Sequence, residues 1–242
     1  MTEVSNRSVG RALEIVKLLS VQSAPMGLKD ISTALDLPRS STLTLLRALR
    51  DFDFVAVDDE GRYSIGLGCF EAGSAYARSM TPAKAAEGEL RQLTATYNIT
   101  SHFAVLEGTD VVYVAKQDPP NLGVRLASSI GARLSAVGTA VGKAQLAFDR
   151  VPASLEPLSD ELSAELGLTR SRGYALDEGE TASGIRCIAA PVFSDRGCIG
   201  AVGVSYLQHS DLDLTEIAES VVAVANAVTT RLGGRPAERG AA

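Results

Sequence analysis

Cysteine and histidine are scarce in this 242-residue chain, which holds three of the first (Cys69, Cys187, Cys198) and two of the second (His102, His209). An odd cysteine count with no Cys-x-x-Cys pair speaks against a disulfide framework. So few soft ligands speak against a zinc site or other metal cluster. No apolar run approaches the ~20 residues of a bilayer-spanning helix. Met1 to Asn6 is polar, with one acid and no base, unlike a secretory leader, so the expected compartment is the cytoplasm. The sequence has no Gly-x-Ser-x-Gly elbow, and Lys143 is followed by Ala144, where a phosphate-binding loop needs Ser or Thr. A Ser, His and Asp triad can be assembled on paper, yet neither histidine stands in a recognisable motif. Cys187 has no base assigned to it, and a buried thiol without a positive neighbour stays protonated. Catalysis is therefore not expected, and no cofactor is implied.

Excess positive charge is lacking too. The net charge is −6, but residues 1–80 carry nine basic against ten acidic side chains, and the remaining 162 carry 14 against 19. The acid load sits in the second part. Nucleic-acid binding requires a local basic face, not a basic chain, so it is not excluded. Apolar residues make up 45% and charged residues 21% of the chain, an ordinary globular balance that can bury a real core.

Periodicity gives the organisation. Val9, Ala12, Leu13, Val16 and Leu19 predict a first helix that ends near Gln22, with Ser8 as its cap. Leu28, Ile31, Ala34 and Leu35 predict a second, short one, broken at Asp36-Leu37-Pro38 with Leu37 anchoring the turn. A third runs from about Pro38 to Arg50, with Leu43, Leu46 and Leu49 inward. The β-prone runs 54–57 and 62–65 surround the acidic turn Asp58-Asp59-Glu60-Gly61 and predict a hairpin. Leu67 to Met80 reads as a connecting helix, after which Thr81-Pro82 restarts the chain. The second part alternates helix and strand. Helices are expected over about 82–97, 138–148 and, more weakly, 159–166, with a last one capped by Asp213 and ended by Gly233-Gly234. Strands are expected over 102–106, 111–115, 123–127, 184–193 and 199–207. The expected class is α+β, divided into residues 7–66, a linker helix over 67–80, a second domain over 81–234 and a disordered tail over 235–242.

Helix, helix, turn, helix and hairpin within about 60 residues is the layout of a winged helix-turn-helix. A recognition helix needs an apolar inner face and an outer face of short donors and arginine, which approach phosphates and base edges. Arg39, Ser40, Ser41, Thr42, Thr44 and Arg47 supply that surface, and arginine suits bidentate contact with guanine or phosphate. The acidic wing tip would repel phosphate, so Arg62 is expected to face DNA in its place. The competing reading is a small helical domain for protein contacts, in which the serines and threonines are caps, the arginines are solvated, and a small-molecule sensor acts through protein partners without touching DNA.

Three N-terminal stretches, residues 11–19, 31–42 and 59–66, resemble the IclR family of bacterial transcriptional regulators. So do Gly142-Lys143-Ala144 and, most specifically, Arg186-Cys187-Ile188-Ala189-Ala190-Pro191-Val192-Phe193. The resemblance runs from about residue 7 to 234. It implies a winged helix-turn-helix, a linker helix and a GAF-like effector domain with an antiparallel sheet flanked by helices. It also implies homodimers or tetramers on palindromic operators, with a small organic acid as effector. Carried over by position, Asp177 (in Gly173-Tyr174-Ala175-Leu176-Asp177) and Cys187 line the ligand site, with Gly203 and Ser205 facing it. Gly138, Thr139, Ala140 and Val141 combine small residues with a helix start, which suits either a carboxylate at free N–H groups or plain helix–sheet packing. The family often has His where Val137 stands and Ser where Gly203 stands. Loss of both hydrogen-bonding groups implies a roomier or less polar pocket, fitted to an aromatic or partly apolar acid.

Overall fold

A computed structural model describes residues 6–120, 128–149 and 151–237. The chain divides into two compact units, with the boundary between Ser79 and Met80. The expected strand over 123–127 and the end of the tail, 238–242, lie outside the described residues.

The first unit holds α1 (Arg7–Ser20), α2 (Leu28–Ala34), α3 (Arg39–Asp51), the hairpin β1 (Val55–Val57) and β2 (Tyr63–Ile65), and α4 (Leu67–Ser79). Its core is small: Ile15, Leu19, Ile31, Leu46 and Val55, with Leu45, Leu49 and Tyr63 packed around them. The buried stripe of α1 differs from the expected one. Ile15 and Leu19 point inward while Val9 and Leu13 are more than half exposed. Asn6 caps this helix in place of Ser8, its side-chain oxygen accepting the N–H groups of Ser8 and Val9. Leu37 is buried and anchors the α2–α3 turn, with Asp36 in the left-handed region before it. Met26 pairs with Tyr63 and extends the hairpin by one bridge.

The second unit is a six-stranded antiparallel sheet in the order β5-β4-β3-β8-β7-β6. Its strands are β3 (Thr100–Glu107), β4 (Asp110–Gln117), β5 (Arg133–Ser135), β6 (Ala175–Asp177), β7 (Ile185–Ser194) and β8 (Gly197–Leu207). The helices are α5 (Thr81–Tyr97), α6 (Ala140–Leu146), α7 (Asp160–Arg172) and α8 (Leu214–Arg231). Alternation along β7 and β8 separates two cores, since successive strand residues face opposite sides. Ile188, Val192, Val202 and Val204 pack against α5 and α8 through Leu90, Leu93, Ile217, Val221 and Val228. Ala175, Ala189 and Ala201 pack on the other face with Ala140, Val141, Ala144 and Leu166 of α6 and α7. Small residues dominate this second face, so α6 lies close to the sheet. A Cβ on Gly142 would stand 2.1 Å from the carbonyl oxygen of Ala136. Helix α7 extends well beyond the expected 159–166, with Ser159 as cap and Arg170 and Arg172 in its last turn; only Leu166 and Thr169 are buried on it, which explains its faint apolar pattern.

Candidate functional site

The outward face of α3 carries Arg39, Ser40, Thr44 and Arg47, all exposed, with Ser41 half-buried beside them. Among the described residues neither Arg39 nor Arg47 is paired with an acid. Their charge is therefore open to a partner. Thr44 donates its hydroxyl to the Ser40 carbonyl (3.0 Å), which folds it against the helix. Thr42 departs from expectation. It is fully buried and donates to the Pro38 carbonyl (3.1 Å), so it shapes the helix start and presents nothing outward. Arg62 is also differently placed. Its guanidinium meets Asp58 (2.9 Å) and Glu60 (3.2 Å), and Asp58 also accepts the Arg62 and Glu60 N–H groups. The Arg62 N–H and guanidinium hold the Asp58 carboxyl below its ordinary range. The wing's one arginine is thus neutralised by the tip's own acids.

In the second unit, strand register builds the site. Asp177 pairs with Cys187 across β6–β7, and Cys187 pairs with Ser205 across β7–β8. One step along, Gly203 pairs with Ala189 on β7 and with His102 on β3. A two-residue step returns to the same face, so the two rows form one wall. The start of α6 closes the space above it. A cavity of about 50 Å³, several times what one water molecule requires, is lined by His102, Tyr113, Ser128, Leu134, Thr139, Ala140, Val141, Asp177, Thr181, Ala182, Ile185, Cys187 and Ser205.

Each polar group here has a distinct state. Asp177 is buried, and one carboxylate oxygen accepts the N–H groups of Gly179 (3.0 Å), Glu180 (2.8 Å) and Thr181 (3.4 Å). It fixes the loop that brings Thr181 and Ala182 over the cavity. Cys187 Sγ contacts Ser205 Oγ at 3.2 Å, and burial pushes its thiol up to about 12. That thiol is no nucleophile at neutral pH. Thr139 accepts the Gly142 N–H (3.1 Å), which occupies one of the free donors at the start of α6. His102 is 1% exposed, stands edge-on to Tyr113 with ring centroids 5.1 Å apart, and is held neutral by burial at a pKa of about 3. Among the described residues its Nδ1 has no hydrogen-bond partner, and neither has Ser128 Oγ.

Of the residues expected at this site, Thr139, Ala140, Val141, Asp177, Cys187 and Ser205 come together on the cavity. Gly138 stands outside the lining and accepts a hydrogen bond from Thr181 Oγ1 (3.0 Å). Gly203 backs the wall and does not line it, because the His102 imidazole fills the space in front: a Cβ at 203 would lie 2.6 Å from His102 Nε2. Val137 faces a separate outer groove with Lys143, Glu165 and Arg172, so its identity says nothing about the cavity's polarity. Neither position therefore sets the cavity's polarity: Val137 lies outside its lining, and His102 supplies a buried polar group where position 203 has none. His102, Tyr113, Ser128, Leu134, Thr181, Ala182 and Ile185 were not singled out from the sequence. Cross-strand counting from Gly203 would have found His102.

Lys143 is buried, and its ammonium donates to Glu180 (2.8 Å) outside the cavity. Among the described residues no group of His, Cys, Asp and Glu could hold a metal ion, and no helix is long and apolar enough to cross a membrane.

Comparison with known proteins accounts for both units. Residues 8–59 match the IclR helix-turn-helix domain, and residues 74–230 match the bacterial transcriptional regulator IclR C-terminal domain. The HTH-type transcriptional regulator XynR of Escherichia coli is 30% identical over 247 residues, covering 94% of this chain and 97% of that one. An IclR transcriptional regulator from Alicyclobacillus acidocaldarius superposes with a TM-score of 0.78 at 29% identity, over 93% of this chain and 98% of that chain. An IclR homologue from Microbacterium hydrocarbonoxydans, complexed with 4-hydroxybenzoate, shares the fold (TM-score 0.80, 16% identity, 93% and 98% covered). With a family model matched over more than half of its length and a relative alike from end to end, the chain belongs to the IclR family, whose members are DNA-binding transcriptional regulators and not enzymes.

Proposed function

We propose that this regulator reads operator DNA through the outward face of α3 and is switched by a small organic acid bound in the cavity of its second unit. Arg39, Ser40, Ser41, Thr44 and Arg47 are the DNA-contacting residues in this reading. The observation that carries the ligand half is that His102 and Ser128, which line one cavity, each carry a buried polar atom with no partner among the described residues, Nδ1 and Oγ. A buried polar group left unpaired costs about 1–3 kcal/mol. Proteins keep few such groups, and one at a cavity can be satisfied by what enters it. A protein of the same fold is complexed with 4-hydroxybenzoate, which makes a hydroxylated aromatic acid the first ligand to test.

The protein acts in the cytoplasm as a homo-oligomer, a dimer or tetramer, because one helix-turn-helix reads only half of a palindromic operator. The acid binds one arrangement of the assembly better than another and shifts the population between them, so DNA affinity changes by the coupling free energy between the two sites. Fluorescence anisotropy on DNA upstream of its own gene, with random-sequence competitor and a panel of aliphatic and aromatic acids, tests the whole reading. The expected result is sequence-specific binding altered by one class of acid. Specific binding indifferent to every acid removes the ligand half. Absence of even salt-sensitive generic binding removes the DNA half.

A further inference from the structure

His102 is unusual among the residues of the second unit. It is large, 1% exposed and polar, yet its Nδ1 meets no hydrogen-bond partner among the described residues. Its place is made possible by its cross-strand neighbour on β8. A Cβ on Gly203 would stand 2.6 Å from His102 Nε2 and 2.8 Å from a Val141 methyl, so a larger residue there and the imidazole compete for the same space. Tyr113, edge-on at an interplanar angle of 70°, fixes the plane of the ring.

We propose that His102 is the specificity-determining residue of the cavity, that it reads a hydroxyl group on the effector, and that position 203 is glycine to seat it. This rests on the reading that the cavity takes the effector. The imidazole is neutral, because burial dominates and Lys116, its partner on β4, opposes a second positive charge more than Asp118 favours it. A neutral imidazole carries one N–H donor and one bare nitrogen acceptor, and the proton can sit on either ring nitrogen. A ligand hydroxyl satisfies both tautomers, whereas a carboxylate satisfies only the donor. The buried hydroxyl of Ser128, also unpartnered on the same cavity, has the same two-way character. The effector class is therefore a hydroxy acid, in which the hydroxyl is what this chain distinguishes.

Matched probe pairs test it: 4-hydroxybenzoate against benzoate, and lactate against propionate, titrated calorimetrically into the full chain. Wild type should bind the hydroxylated member of one pair at least about tenfold more tightly, the scale of one buried hydrogen bond. His102→Leu should erase that preference, bringing the two members of the pair to the same affinity. Its ligand-free Tm should hold or rise, because an apolar side chain replaces a polar group with no partner. Gly203→Ser should also erase the preference by displacing the imidazole. A preference that survives in both variants overturns the inference, as does equal binding of both members by wild type, and either leaves the pocket reading in place. Binding of neither member of either pair removes the pocket reading and this inference together.

Discussion

The two units hold their polar side chains under opposite conditions. On α3, Arg39, Ser40, Thr44 and Arg47 stand in water, where an unpaired charge is solvated and costs the fold nothing. In the second unit, His102 and Ser128 are buried with atoms that have no partner among the described residues, so the folded state carries their desolvation. A surface of the first kind can change its residues without unfolding the domain. A wall of the second kind ties recognition to stability.

The largest test of this contrast is the double variant Arg39→Ala/Arg47→Ala. Each lost DNA contact should cost roughly 1–3 kcal/mol of operator affinity, so the pair should weaken binding by at least tenfold, read by anisotropy. Thermal unfolding should hardly move, since exposed substitutions stay within about 0.5 kcal/mol. A large fall in Tm would break the comparison, and unchanged affinity would remove α3 as the reading helix.

Gly142→Ala probes the opposite condition. Its Cβ would enter the Ala136 backbone, with the carbonyl oxygen 2.1 Å away. Overpacking of this kind costs about 1–3 kcal/mol. The urea midpoint should fall without a change in slope, while operator binding by the protein that remains folded stays intact. An unmoved midpoint would mean that α6 and the Ala136 backbone can move apart at little cost.

Acid should reveal the buried imidazole. His102 is depressed in the folded state, from 6.5 to about 3. Between those values the unfolded chain takes up a proton that the folded chain refuses. Stability from this group is therefore complete above about pH 6.5 and lost as pH falls, at up to roughly 1.4 kcal/mol per pH unit. His102→Leu should flatten the slope between pH 6.5 and 5, measured by urea unfolding at each pH. An identical slope in the variant would show that His102 is not the titrating group.

How much was readable beforehand follows from the same contrast. The α3 face was visible because its residues lie within nine positions of one another and repeat at helical spacing; only Thr42 was misplaced, since its local bond to Pro38 turns it inward. The motif around Asp177 and Cys187 was visible through family resemblance, and strand pairing then explains why its residues stand together: the two are direct partners, as are Cys187 and Ser205. His102 was invisible because its role depends on the pairing of β3 with β8, two strands about a hundred residues apart in sequence. Strand β6 and the far half of α7 were missed for a different reason. The strand has three residues, and the helix buries too few side chains to print a period.

The smallest effect belongs to the wing, and it sharpens the contrast from within the first unit. Arg62 was expected to touch DNA, yet Asp58 and Glu60 already hold its guanidinium. Exposed pairs of this kind are weak but sufficient to cancel the charge locally. Arg62→Ala should therefore change operator affinity by less than about threefold, well below the α3 variants. Asp58→Asn should do the reverse of a loss. It removes one repulsive carboxylate and leaves Glu60 as the arginine's remaining acidic partner, so binding tightens slightly and the salt dependence steepens by about one counterion. Were Arg62→Ala to match Arg39→Ala in effect, the ion pair would have to open on DNA, and the wing would join α3 as a reading surface. Equal salt slopes for wild type and Asp58→Asn would instead keep the wing tip away from the phosphates altogether.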